Sequence, residues 1–175
     1  TRFAQFMITT PMLIPFQTIM ITLLKVMNIV NLSGSKVGLG IQYWGFGIPM
    51  AAFIYGNFMS TIPKELDESA FIDGAGTFRT YRSIIFPLLK SVTFTVIVID
   101  VMWIWNDFLL PYLVLDLNRF KTLSIAIQYM KGSYGRVDMG AIMASLILAV
   151  IPVIVFYLSA QKYIIKGVAA GAVKG

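Results

Sequence analysis

The chain of 175 residues contains no cysteine and no histidine. Disulfides, thiolate nucleophiles, Cys/His metal sites and a Ser-His-Asp triad are therefore excluded. Charge is scarce too. Asp, Glu, Lys and Arg make up 13% of the residues, against about 25% in an ordinary soluble domain. No Gly-x-x-x-x-Gly-Lys-Ser/Thr segment is present, so the chain has no phosphate-cradling loop for a nucleotide. What remains is apolar. The chain is 58% hydrophobic with a mean hydropathy of +0.80, the composition of a membrane protein. The net charge of +6 is scattered among apolar runs and not gathered on one face. That distribution argues against nucleic acid as a partner and for anionic lipid headgroups at the ends of spans.

The apolar runs predict an all-α bundle in a lipid bilayer, forming one domain over 1–175. Span one is expected from Phe3 to Leu24, bent or loosened by Pro11 and Pro15. Span two lies within Val37 to Ile62, with Tyr43 and Trp44 as interfacial aromatics and Pro49 as a kink. Span three runs from about Leu88 to Leu115, and span four from Met139 to Gln161 around Pro152. At ~1.5 Å rise per residue, each run is long enough for a hydrocarbon core ~30 Å thick. Gly47 with Ala51, Ala52 with Gly56, and Ala141 with Ser145 are small residues one turn apart, a spacing that lets helices approach closely. In the long connector Asp116–Asp138, a short helix is expected over Leu123–Met130 and a turn over Gly132–Tyr134. The Gly/Ala-rich stretch Gly167–Gly175 reads as a flexible tail.

Span three is the unusual one, because it carries Asp100, Asn106 and Asp107. A carboxylate at mid-membrane costs ~2.5–3.5 kcal/mol on insertion scales. Two readings of Asp100 follow: it is neutral or paired with a polar group of a neighbouring helix, or it faces a water-filled path. Trp103, Asn106 and Asp107 are the side-chain types that sugar binding combines, an aromatic face with amide and carboxylate groups; a belt anchor explains the Trp equally well.

A polar island, Lys64 to Gly76, interrupts the apolar runs and holds half of the acidic residues: Glu65, Asp67, Glu68 and Asp73. Pro63 suits a first helical position. The carboxylates suit the first turns of a helix, where they complement its dipole. Gly74 and Gly76 are candidates for left-handed residues that end the helix, and Thr77 for the cap of a second helix starting near Phe78. That second helix reads as amphipathic, leading into the membrane with a bend at Pro87. The first helix is too short to be stable alone. Its Leu66, Ala70, Phe71 and Ile72 point in several directions at about 100° per residue, which implies contact on more than one side.

Glu68-Ser69-Ala70, Asp73-Gly74-Ala75, Ile84 and Pro87 together resemble the EAA motif of binding-protein-dependent ABC importer permeases. Ser69 stands where that motif has Ala, and Phe86 where it has Leu. Trp105-Asn106-Asp107-Phe108, Lys121-Thr122-Leu123, Tyr134-Gly135 and Gly171-Ala172-Val173-Lys174-Gly175 are similar to the carbohydrate-importing, maltose-type branch. The landmarks cover nearly the whole chain. The resemblance implies a multi-pass permease subunit in the cytoplasmic membrane, without cofactor, metal or catalytic activity. It also implies that this is the C-terminal portion of a protein with about six spans. The implied partners are a second permease subunit, ABC ATPase subunits, an extracytoplasmic solute-binding protein and a sugar substrate. It assigns ATPase coupling to Glu68, Ser69, Ala70, Asp73, Gly74, Ala75 and Pro87, and places the 63–90 loop in the cytoplasm. Asp100, Trp103, Asn106 and Asp107 are candidates for the translocation path. The competing reading is a secondary transporter or channel that uses Asp100 as a proton or ion site.

Overall fold

The computed structural model describes residues 2–130 and 138–172, with side chains described as far as Gln161 and excluding Arg2. The turn expected at Gly132–Tyr134 and the motif residues Tyr134, Gly135 and 173–175 lie outside the described residues. Among the described residues the architecture is all-α, with one isolated bridge between Gly34 and Leu115 in place of any strand.

Helix α1 (Arg2–Thr9) passes into a 3-10 turn (Thr10–Leu13), and α2 spans Phe16–Ile29. The expected first span is therefore two helices, and Phe3–Leu13 meets Phe16–Ile29 at 97°. The cause is local. Pro11 has no N–H for a continuing ladder, and Pro15 forces Ile14 into an extended conformation (φ −90°, ψ 117°). Helix α2 also runs past Lys25, where the sequence pattern ended the span. Ser35 then caps α3 (Lys36–Met59), its hydroxyl accepting from the Gly38 N–H at 2.9 Å. Helix α3 continues unbroken through Pro49 and, at ~1.5 Å per residue, is ~36 Å long.

After α4 (Glu65–Ile72), α5 covers Thr77–Leu88 and contains a π turn at Tyr81–Ile85. Helix α6 (Lys90–Asn106) is inclined 62° to α5. The expected third span was to reach Leu115. Instead α6 stops at Asn106, because Asp107 is extended (φ −69°, ψ 133°) and its carboxylate accepts the Leu109 and Leu110 N–H groups at 3.1 and 3.4 Å. Those bonds start a new short helix, α7 (Leu109–Val114). Helix α8 occupies Leu123–Met130, as the pattern suggested. Helix α9 runs from Met139 to Ala172, so the stretch read as a flexible tail from Gly167 is helical as far as Ala172. Alanines at 169, 170 and 172 favour helix enough to carry it past Gly167 and Gly171.

Lys36–Met59 and Met139–Gln161 are each long and apolar enough to cross a bilayer; α1 with α2, and α5 with α6, meet the requirement only as bent pairs. Two apolar clusters clamp the bundle at opposite ends of α3. At the end distal to α4, Met27, Leu39, Leu110, Val114 and Leu115 are buried together. At the α4 end, Ile85, Leu89 and Val92 pack against Ile54, Tyr55 and Phe58. The flank of α9 is different: Ile147, Leu148 and Val155 are exposed, as a lipid-facing helix requires.

Candidate functional site

The α4–α5 elbow is built by its C-cap. Ala75 N–H donates to the Ala70 carbonyl at 2.9 Å and Gly74 N–H to the Phe71 carbonyl at 3.0 Å. Gly74 is left-handed, with φ +75°. This is the Schellman closure, in which the residue after the cap must have positive φ. Three of the motif positions thereby have structural roles. Ala70 is buried, Gly74 makes the turn, and Ala75 closes it. Gly76 is not left-handed (φ −70°); it caps α5, and Thr77 is its first helical residue rather than the cap. Pro63 likewise lies outside α4, because Lys64 is the N-cap; the Pro63 carbonyl accepts from Leu66 at 3.3 Å.

Glu65, Asp67 and Glu68 do fall in the first turn of α4. Glu68, Ser69 and Asp73 are exposed, and Ser69 ties its hydroxyl to the Glu65 carbonyl at 2.6 Å. Phe71, Ile72 and Phe78 are 80%, 83% and 76% exposed. Behind them, a cavity of about 600 Å³ separates α4 from α3 and α5, bordered by Met59, Ile62, Phe71, Tyr81 and Ile85. The elbow therefore meets the bundle through buried Ala70, carries Phe71 at the rim of the cavity, and leaves Ile72, Phe78, Glu68 and Asp73 exposed. Pro87 lies two residues beyond the end of the π turn. In a regular α-helix its ring would meet the Ser83 carbonyl, and a wider turn upstream relieves that contact.

Along the bundle, α6 turns one stripe toward α3. Tyr43 donates its hydroxyl to Asp107 Oδ2 at 3.0 Å and packs edge-on against Trp103, with centroids 5.5 Å apart. One turn further, Gly47 faces Asp100: a Cβ at Gly47 would lie 3.6 Å from the carboxylate. At the α4 end Tyr55 donates to Thr93 Oγ1 at 2.8 Å. Asp100, Trp103 and Asp107 thus share one face, and glycine at 47 leaves room for the carboxylate. The structure does not bring Asn106 to that face. Its amide donates to the Met102 carbonyl at 2.7 Å, and it borders a separate cavity with Trp105 between α6, α8 and α9. Tyr43, Tyr55 and Thr93 were not legible as partners of this stripe. The signal available was spacing alone: Tyr43 and Gly47 are four apart, and Asp100, Trp103 and Asp107 repeat at three and four.

These features define a bent-helix membrane protein whose polar loop projects an elbow away from the bundle. The chain matches the model of the binding-protein-dependent transport system inner membrane component over residues 1–170, and it belongs to that family. It is a multi-pass protein of the inner membrane. It is 42% identical over 95% of its length to the probable starch degradation products transport system permease protein AmyC of Thermoanaerobacterium thermosulfurigenes, covering 60% of that protein. It is 40% identical over 92% of its length to the multiple sugar-binding transport system permease protein MsmG of Streptococcus mutans, covering 58% of it. The trehalose/maltose transport system permease protein MalG of Thermococcus litoralis is 33% identical over 76% of the chain, which covers 48% of that relative. The chain thus spans three-fifths or less of the length of these relatives.

Proposed function

We propose that the chain forms part of the membrane-spanning subunit of an ATP-driven sugar importer, with α4 as the element that docks on a separate ATP-binding-cassette subunit. The observation that carries this reading is the elbow: a short acidic helix, closed by Gly74, whose Phe71, Ile72 and Phe78 are left uncovered by the chain itself. Exposed aromatic groups beyond the spans, on the same elbow as exposed Glu68 and Asp73, suit a protein cleft better than lipid or water. The relatives named for starch degradation products, multiple sugars and trehalose/maltose support a sugar or oligosaccharide as cargo. A second permease subunit and an extracytoplasmic solute-binding protein complete the assembly this reading requires. Family membership favours it over a proton- or ion-driven transporter, which would run down when the proton gradient collapses.

Motion of α4 passes through α5 and its π turn to α6, so the Asp100, Trp103 and Asp107 stripe moves against α3 when the ATPase closes. This makes one two-state element shared by both sites, which is the requirement for coupling between them. The test is uptake by the assembled importer carrying Gly74→Asp or Glu68→Lys. Both variants are expected to lose uptake and ATPase association while remaining inserted. Normal ATPase pull-down with normal sugar-stimulated hydrolysis in both would rule the docking role out. Asp100→Leu is expected to impair uptake without preventing insertion; unchanged uptake would remove Asp100 from the path.

A further inference from the structure

The cavity between α6, α8 and α9 has a volume of about 350 Å³ and lies at the end distal to α4. Ligand sites run from about 300 to 1,000 Å³, so it has room for one small ring. No ionisable side chain lines it. One wall is apolar, formed on α9 by residues including Leu146 and Val150; the other carries Trp105, Asn106, Ser124 and Gln128. The indole edge is tied to α9 and the Trp105 backbone to α8. The indole Nε1–H donates to the Ala149 carbonyl at 3.2 Å, and the Trp105 carbonyl accepts the Ser124 hydroxyl at 3.4 Å. Asn106 spends its Nδ2 on the Met102 carbonyl, leaving Oδ1 without a partner among the described residues. The Gln128 amide, exposed one turn along α8 from Ser124, makes no hydrogen bond there either.

The chemistry narrows the occupant. The absence of charge in the lining disfavours ions and zwitterions, which need a counter-charge when desolvated. An acyl chain would leave both amides unpaired. A neutral polyol satisfies every group at once, with its C–H face on the indole and its hydroxyls on the amides. We infer that this cavity is a subsite for one ring of a neutral sugar, with Asn106 and Gln128 as its specificity-determining hydrogen-bonding residues and Trp105 as its stacking platform. The inference rests on the sugar-importer reading and adds residues that the α3-facing stripe does not include.

The experiment uses the full-length permease, assembled with its ATPase and binding protein in proteoliposomes, and maltose, trehalose, melibiose and raffinose as probes. Uptake of none of the four by the wild type would overturn the sugar-importer reading itself. For a sugar that is taken up, Asn106→Leu and Gln128→Leu are each expected to raise KM about tenfold, the loss of one well-made hydrogen bond. KM does not depend on how much protein is inserted. Asn106→Gln and Gln128→Asn keep an amide, and are expected to recover most of the lost affinity even where the leucine variants transport nothing measurable. A wild-type KM in the Asn106→Leu/Gln128→Leu double variant overturns the subsite and leaves lipid or another protein segment as the occupant. Failure of both amide variants to recover affinity overturns it as well.

Discussion

The two ends of α3 are finished in different ways. At the distal end the chain closes on itself with directed bonds. Gly34 N–H donates to the Val114 carbonyl at 2.8 Å, Asp116 N–H to the Gly34 carbonyl at 3.3 Å, and Tyr43 to Asp107. The Lys36 ammonium sits 4.5 Å above the Phe120 ring. At the α4 end apolar packing dominates, with the Tyr55–Thr93 bond as the side-chain link between α3 and α6, while the elbow beyond it keeps large apolar side chains in the open. One end is closed by directed bonds, and the other leaves large apolar side chains uncovered by the chain itself. Directed bonds of this kind hold a segment more firmly than sparse packing does, so the elbow is expected to open locally at a lower free energy than the distal end.

The comparison breaks first at Gly38. A methyl group there would collide with the Leu32 carbonyl and Met27 Cε, so Gly38→Ala is expected to cost about 3 kcal/mol, and to lower the unfolding temperature in detergent. Hydrogen exchange should rise around residues 27–39 and stay unchanged in α4. Equal loosening at both ends would mean that the ends are not independent.

The two tyrosine bonds sharpen it next. Tyr43 reaches a carboxylate and Tyr55 a neutral hydroxyl. Tyr43→Phe should therefore cost about 2 kcal/mol and Tyr55→Phe about 1 kcal/mol, read as shifts in denaturation midpoint. A larger loss at Tyr55 would reverse the ranking of the ends.

The smallest effect is expected at Gln42, which is 5% exposed with neither amide atom hydrogen-bonded among the described residues. Gln42→Leu should be neutral or stabilising by up to about 1 kcal/mol, because it removes a buried unsatisfied group at similar volume. A clear loss of stability would show that the amide has a partner.

Composition and run length carried much of this architecture. Helices over Lys36–Met59, Leu123–Met130 and Met139–Gln161 were legible because apolar length and bounding polar residues decide them. The break at Ile14 was not, since membrane helices tolerate proline when neighbours satisfy the freed carbonyls, and the sequence does not say which neighbours are present. The early end of α6 was hidden for another reason. Asp107 looked like a polar residue inside a span, whereas its carboxylate competes for the backbone N–H groups of α7. In the elbow, Gly74 was legible because a turn there needs positive φ. Gly76 and Thr77 exchanged roles because glycine serves equally well at an N-cap. The split between Asn106 and its neighbours Trp103 and Asp107 follows from helical angle, which sequence supplies only once the facing helix is known.

The π turn at Tyr81–Ile85 makes the azimuth of the elbow a matter of counting. A π turn accommodates one more residue than the α turn it replaces. Removing Ser83 would take out that surplus residue: the elbow before it would rotate by about 100° around the axis of α5, and the Pro87 ring would meet the carbonyl four residues upstream that the wider turn now spares. Phe71 and Ile72 would then point to a different compass bearing relative to α6, with no contact inside the elbow altered. The phase between elbow and bundle is stored in a single surplus residue, so a one-residue deletion there would misaim the elbow and strain α5 at Pro87.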